Sequence, residues 1–241
     1  MTWPEVQEAV SAGRDTVVMA FGATQQHGPH LPLGTDALLG DHLARRVAER
    51  LDAFVAPTVR VGCSSQHLAF AGTMSVGEAT FHAIVADLVA SFARGGFTRI
   101  VLLPTHTGNF IPLSAAMARL EEPEGARVVA LTDIELLMQL ALLGHERLGV
   151  PMTEGGLHAG EWETSMLLAV RPDLVRMDRA EPGYMGEPEA ALRALFEAGV
   201  EVVSLNGVLG DPSRAQPANG EAYWEAAVDL AVRVVEDAAP R

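Results

Sequence analysis

Four short apolar runs, separated by stretches whose apolar residues recur at helical spacing, constrain the fold of this chain more than any other feature. Residues 16–21, 53–61, 99–103 and 127–131 are of strand length and rich in Val, Ile and Leu, with Pro57 interrupting the second run. Between them, Leu38, Leu39, Leu43, Val47 and Leu51 mark a helix over 37–51, and Phe81, Ile84, Val85, Leu88 and Phe92 mark one over 78–94. Further helices are predicted over 110–120, 133–148, 159–170, 187–198 and 220–238. Thr2-Trp3-Pro4-Glu5 reads as a capping box that opens a short helix to Ala12. A run as uniformly apolar as 99–103 is buried on both faces. Strands alternating with helices therefore predict one α/β domain over residues 1–241, with a mostly parallel sheet and helices on both faces.

Composition removes whole classes of function. The 17 basic residues are all Arg, against 31 acidic ones, for a formal net charge of -14. So acidic a chain has no general attraction to nucleic acid or to an anionic membrane surface. The apolar runs fall well short of the ~20 residues that cross a bilayer. The first residues, with Glu5 and Glu8, lack the basic and apolar regions of a signal peptide. Cys63 is the single cysteine, which suits a reducing compartment, and a cytoplasmic location is expected. A chain without Lys has no phosphate-binding Gly-Lys-Ser/Thr loop, and neither a dinucleotide fingerprint nor a Gly-x-Ser-x-Gly elbow is present.

The histidines carry the chemistry. In an open α/β sheet, ligands bind beyond the carboxyl ends of the strands. The run 16–21 leads into a Gly/Pro-rich loop containing Gln25, His27 and His30 and ending at Asp36, and the run 99–103 leads into Pro104-Thr-His106-Thr-Gly-Asn109. A lone His or Asp in such a loop is ordinarily a turn or cap residue. Two His-bearing loops after two apolar strands are hard to explain by packing. A third segment, His158-Ala-Gly-Glu161-Trp-Glu163-Thr-Ser165, places His158 and Glu161 on one helix face, with Glu163 on another side as a structural acid. A His/Asp/Glu set without Cys suits Zn²⁺ or Mn²⁺, one or two per chain, with Fe²⁺ a weaker fit. Such an ion activates water and polarises a carbonyl, and a nearby His can move the proton, which are the functions that amide hydrolysis needs.

These segments resemble the creatininase family of metal-dependent amidohydrolases along nearly the whole chain. The run from Gln25 to Asp36 is similar to the family's Glu-Gln-His-Gly-x-His-Leu-Pro-x-x-Thr-Asp, and the run from His67 to Ser75 to its His-x-x-Phe-Pro-Gly-Thr-x-Ser. Pro104 to Asn109 is similar to Asn-Gly-His-Gly-Gly-Asn, His158 to Ser165 to His-Ala-Gly-x-x-Glu-Thr-Ser, and Gly207 to Pro212 to a late Gly-x-x-Gly-Asp-Pro turn. The resemblance implies a three-layer α/β/α fold, a homo-oligomer (usually a hexamer), a small-molecule substrate and two divalent ions. It implies that His27 and His106 each ligate one metal, Asp36 bridges them and Glu161 adds a carboxylate. His158 would act as proton shuttle, and His67, Thr73 and Ser75 would lie near the pocket.

Gln25 departs from the pattern, standing where the family has a metal-binding Glu. A neutral amide serves a hard cation less well than a carboxylate. A one-metal variant, a degenerate site kept for binding, and a substitution that traps substrate all remain open. Leu157 and Gly108 stand where creatinine-cleaving relatives carry acids, which argues against creatinine as substrate. The expected function is hydrolysis of a C–N bond in a small cyclic amide, formamide or related molecule. The alternatives are a peptidase-type relative acting in cofactor maturation and a non-catalytic metal- or ligand-binding protein.

Overall fold

A computed structural model describes residues 1–133 and 135–238. Helix α1 (Trp3–Ser11) leads into β1 (Thr16–Phe21), α2 (Thr35–Leu51), β2 (Phe54–Val55), α3 (Glu78–Arg94), β3 (Arg99–Pro104), α4 (Phe110–Arg119) and β4 (Arg127–Ala130). The remainder is helical: α5 (Glu135–Leu148), the single turn α6 (Met152–Gly155), α7 (Glu161–Val170), α8 (Pro188–Ala198), the single turn α9 (Val200–Val203) and α10 (Pro217–Asp237). The capping box forms as read, with the Glu5 carboxylate accepting the Thr2 N–H at 2.5 Å.

The strands are parallel in the order β2-β1-β3-β4. Successive residues of a strand point to opposite faces. Val18, Ala20, Val101 and Leu103 accordingly meet Leu39, Leu43, Leu167 and Trp224 of α2, α7 and α10. Val17, Met19, Ile100 and Leu102 meet Phe81, Val85 and Leu113 of α3 and α4 on the other face. The result is the three-layer α/β/α architecture. No described helix is long and apolar enough to cross a membrane.

Among the boundaries that differ from the sequence reading, two have a clear local reason. The run 53–61 forms a ladder only at Phe54–Val55, because Pro57 has no N–H to donate. Pairing continues around it, with the Ala56 and Val59 amides donating to the Val18 and Ala20 carbonyls at 2.9 Å. The predicted helix over 159–170 starts at Glu161, because Ala159 lies in the left-handed region at φ 52°.

The topology fixes where a site can form. The chain leaves β1 through α2 to β2 on one side, then crosses through α3 to β3 on the other, on the opposite face of the sheet. That reversal opens a crevice at the carboxyl ends of β1 and β3. Asn109 ties the crevice together, its Oδ1 accepting the Cys63 N–H and its Nδ2 donating to the Phe21 and Gly22 carbonyls, each at 3.0 Å. One buried amide thus joins the segments that follow β1, β2 and β3. Two further loops close in from the C-terminal part, where the Leu157 N–H reaches the Leu209 carbonyl at 2.7 Å and the Leu209 N–H reaches the His158 carbonyl at 2.8 Å. Gly156 permits this approach: its φ is +72°, and a Cβ there would lie 1.9 Å from the Leu209 carbonyl oxygen.

Asn109→Ala strips buried partners from these backbone groups, and urea denaturation should show a loss of about 1–3 kcal/mol per group left unpaired. Leu103→Ala, at a fully buried position of β3, should cost about 2–5 kcal/mol by the same measurement.

Candidate functional site

Asp36 stands at the centre of the crevice, in the first turn of α2. Its two carboxylate oxygens face different groups. Oδ1 lies 3.2 Å from His27 Nε2, while Oδ2 accepts from Gln25 Nε2 at 3.0 Å and lies 3.3 Å from His106 Nδ1. All four residues are buried. Hydrogen bonds to backbone fix the rings. His27 Nδ1 donates to the Gln25 carbonyl at 3.2 Å, which turns Nε2 toward Asp36. His106 Nε2 donates to the Cys63 carbonyl at 3.0 Å, which leaves Nδ1 as an acceptor beside Gln25 and Asp36.

His158 and Glu163 complete the His27 side. The His158 Nε2–H donates to the Gln26 carbonyl at 2.7 Å, so its Nδ1 lone pair is free and lies 3.9 Å from Glu163 Oε2. The His158 ring lies 4.3 Å from the His27 ring and 4.6 Å from the His67 ring, centre to centre. Ligand atoms of His27, His158 and Glu163 all fall within 4.8 Å of one another.

The electrostatics follow from burial and from Asp36. Burial pushes the His27 imidazole down, but the Asp36 carboxylate outweighs it and raises its pKa to about 9. Burial pushes Asp36 up, and His27 and His106 more than reverse this, holding it well below the usual carboxylate range. Glu163 is raised, because its burial outweighs the pull of His27. His158 is driven well below its ordinary value by burial and by His27 and His67, and His67 falls to about 3 by burial and by His106 and His27. Both stay neutral at pH 7.

Most of the residues singled out in the sequence meet here: Gln25, His27, Asp36, His106, His158 and His67. Glu161 does not. Its Oε1 accepts from Ser165 Oγ and Asn219 Nδ2 at 2.7 Å, and its Oε2 accepts from Tyr223 at 2.8 Å. Two residues apart on a helix are about 200° apart around its axis. With Glu161 turned onto α10, Glu163 therefore faces the imidazoles, the reverse of the assignment read from the sequence. The signal was present in the His-Ala-Gly-x-x-Glu spacing, whose acid falls five residues after His158, at Glu163. Thr73 and Ser75 accept from the Gln26 and Ser64 N–H groups at 3.1 and 2.9 Å and so brace the loops rather than line the cavity. Gln26 was not singled out, yet its side chain donates to His67 Nδ1 at 2.9 Å and to the Gly207 carbonyl at 3.1 Å.

The cluster forms the floor of a cavity of about 130 Å³. Asp36, His67, His106, His158 and Glu163 supply its polar end, and Met138, Leu157, Trp162, Leu192, Leu195 and Phe196 its apolar wall. Convergent polar groups at one end of an apolar pocket are the usual form of a small-molecule site.

Comparison with known proteins agrees with this geometry. The Creatininase family model, described as creatinine amidohydrolase, matches residues 1–235. The mycofactocin precursor peptide peptidase of Mycobacterium tuberculosis (strain ATCC 25618 / H37Rv) is 34% identical over 235 residues, covering 91% of this chain and 84% of that protein. Two solved structures cover 100% of the chain and 97% of their own: creatininase Mn, with TM-score 0.74 at 28% identity, and a mutant creatininase of Zn-Zn type, with TM-score 0.74 at 29% identity. With the sheet, the crevice loops and the matched length in agreement, this chain belongs to the creatininase family.

Proposed function

We propose that the protein is a divalent-metal-dependent hydrolase that cleaves an amide C–N bond flanked by an apolar group. The observation that carries this reading is the buried set of His27, Asp36 and Glu163, of which Asp36 and Glu163 line the floor of a largely apolar cavity. Ligand atoms of His27 and Glu163 lie within 4.8 Å of each other, and Asp36 joins them through His27. His27 Nε2 is turned toward Asp36 Oδ1 at 3.2 Å, a contact that the Nε2–H fills while the ring is protonated and that an ion would take over once the proton leaves. His27, Asp36 and Glu163 would hold the ion, and an all-nitrogen-and-oxygen set accommodates zinc or manganese. The ion, when bound, supplies a Lewis acid that polarises a carbonyl and lowers the pKa of water.

The chain's own residues do the rest. Three protein donors would leave such an ion room for solvent or substrate, as catalytic sites require. His158 is then better placed as proton carrier than as a fourth ligand. Its Nε2–H is committed to the Gln26 carbonyl and its depressed pKa keeps the ring neutral, so Nδ1 can take a proton and return it to a departing nitrogen. His67, fixed by Gln26 and facing the cavity, would orient the substrate. The chain has no Lys and the described lining contains no Arg, so the cavity offers no permanent cation to an anionic group. Its apolar wall suits a neutral, bulky substituent beside the scissile bond. A short peptide or an acyl amide meets that description, and likeness to a precursor-peptide peptidase supports it.

Metal analysis should separate Glu163 from Glu161. Glu163→Gln should lose the ion on dialysis, whereas Glu161→Gln should keep it and show its defect in thermal stability. His158→Ala should retain metal and lower turnover of a cleavable amide by about 10²–10⁴-fold; loss of metal instead would make His158 a ligand. In a panel of short peptides, acyl amides and creatinine, release of amine from substrates with apolar flanks is the expected result, and no hydrolysis by metal-loaded protein would refute the reading.

A further inference from the structure

Asp36 divides the site into two halves, and they are not equivalent. On one side stand His27, Glu163 and Asp36 Oδ1; on the other stand Gln25, His106 and Asp36 Oδ2. Taking the site as a divalent-metal centre, as proposed above, we infer that it holds a single metal ion, on the His27 and Glu163 side, and that the Gln25 side-chain amide takes the place of a second ion.

Three observations converge on this. Hydrogen bonding comes first. His106 Nε2 donates to the Cys63 carbonyl, so His106 Nδ1 and Asp36 Oδ2 both present lone pairs, 3.3 Å apart. Two acceptors at that distance need a donor or a cation between them. Gln25 Nε2 lies 3.0 Å from each, and its two hydrogens satisfy both. The amide adopts this orientation although it leaves Gln25 Oε1 buried without a partner, a cost accepted because the opposite orientation would set three acceptors against one another.

Charge is the second. The two carboxylates on the His27 side balance a divalent ion there. On the Gln25 side the donors are a neutral amide, a neutral imidazole and one oxygen of a carboxylate already shared. A second divalent ion would add two buried positive charges with no further anion to offset them.

The third is steric. Position 108, directly after the His106 turn, cannot supply the missing acid. A Cβ on Gly108 would lie 2.4 Å from His106 Nε2 and 2.5 Å from the Cys63 carbonyl oxygen. The contact that fixes the His106 tautomer fills the space that a side chain would need.

The test is metal content of the full-length protein, loaded separately with excess Zn²⁺ and Mn²⁺, desalted and measured by elemental analysis, with electron paramagnetic resonance on the manganese form. About one ion per chain and the spectrum of isolated Mn²⁺ are expected. Gln25→Glu should raise the content to about two and give the exchange-coupled spectrum of a manganese pair. Two ions per chain with a coupled spectrum in the unaltered protein would overturn the single-ion inference while leaving the hydrolase reading standing. No retained metal under either loading would overturn both. The unaltered protein decides the stoichiometry by itself, so the inference stays falsifiable if Gln25→Glu fails to fold.

Discussion

The site depends on one buried carboxylate that is asked to serve two sides at once. Asp36 lies in the first turn of α2, and both of its oxygens are engaged, one with His27 and the other with Gln25 and His106. Away from bulk water, each of these contacts is stronger than it would be at the surface, and leaving any of them unmade is correspondingly costly. Ionised Asp36 raises His27, while burial and the neighbouring imidazoles act on the other members. His27 is raised, His67 and His158 are kept neutral, and Glu163 is raised by burial in the same small volume. A cluster with such divergent protonation preferences can bind a cation and carry a proton with different members.

That arrangement survives because the surrounding backbone is pinned at several points. Asn109 satisfies groups from the segments after β1 and β2, while Gln26 links the first loop to His67 and to Gly207. The mutual pairing of Leu157 and His158 with Leu209 brings the C-terminal loops over the same edge of the sheet. These are hydrogen bonds between residues distant in sequence, and they act on the backbone that carries the imidazoles. Three of the imidazoles are then each oriented by a backbone carbonyl: Gln25 for His27, Cys63 for His106 and Gln26 for His158. Ring nitrogens fixed in this way present a lone pair in a set direction, which metal binding and proton transfer both require.

Much of this was legible in the chain. The apolar runs gave the strands, since a buried parallel strand must be apolar on both faces. Gly and Pro marked the loops, and the position of those loops after strands indicated which edge would carry His27, Asp36 and His106. The second strand came out shorter than its composition suggests, because Pro57 cannot donate. The largest miss, Glu161 against Glu163, has a definite cause. Helical spacing states which residues share a face but not which face is turned to the site. Glu161 found Asn219 and Tyr223 on α10, more than fifty residues away in sequence.

The sequence by itself determined the α/β class, the strand positions and the set of side chains able to bind a cation, because local periodicity and residue chemistry are properties of the chain alone. The tertiary structure decided which acid joins the imidazoles, which nitrogen of each ring is free, and that Gln25 bonds to both Asp36 and His106. Those outcomes depend on distances of a few ångströms between segments far apart in the chain, which helical and strand periodicity do not encode.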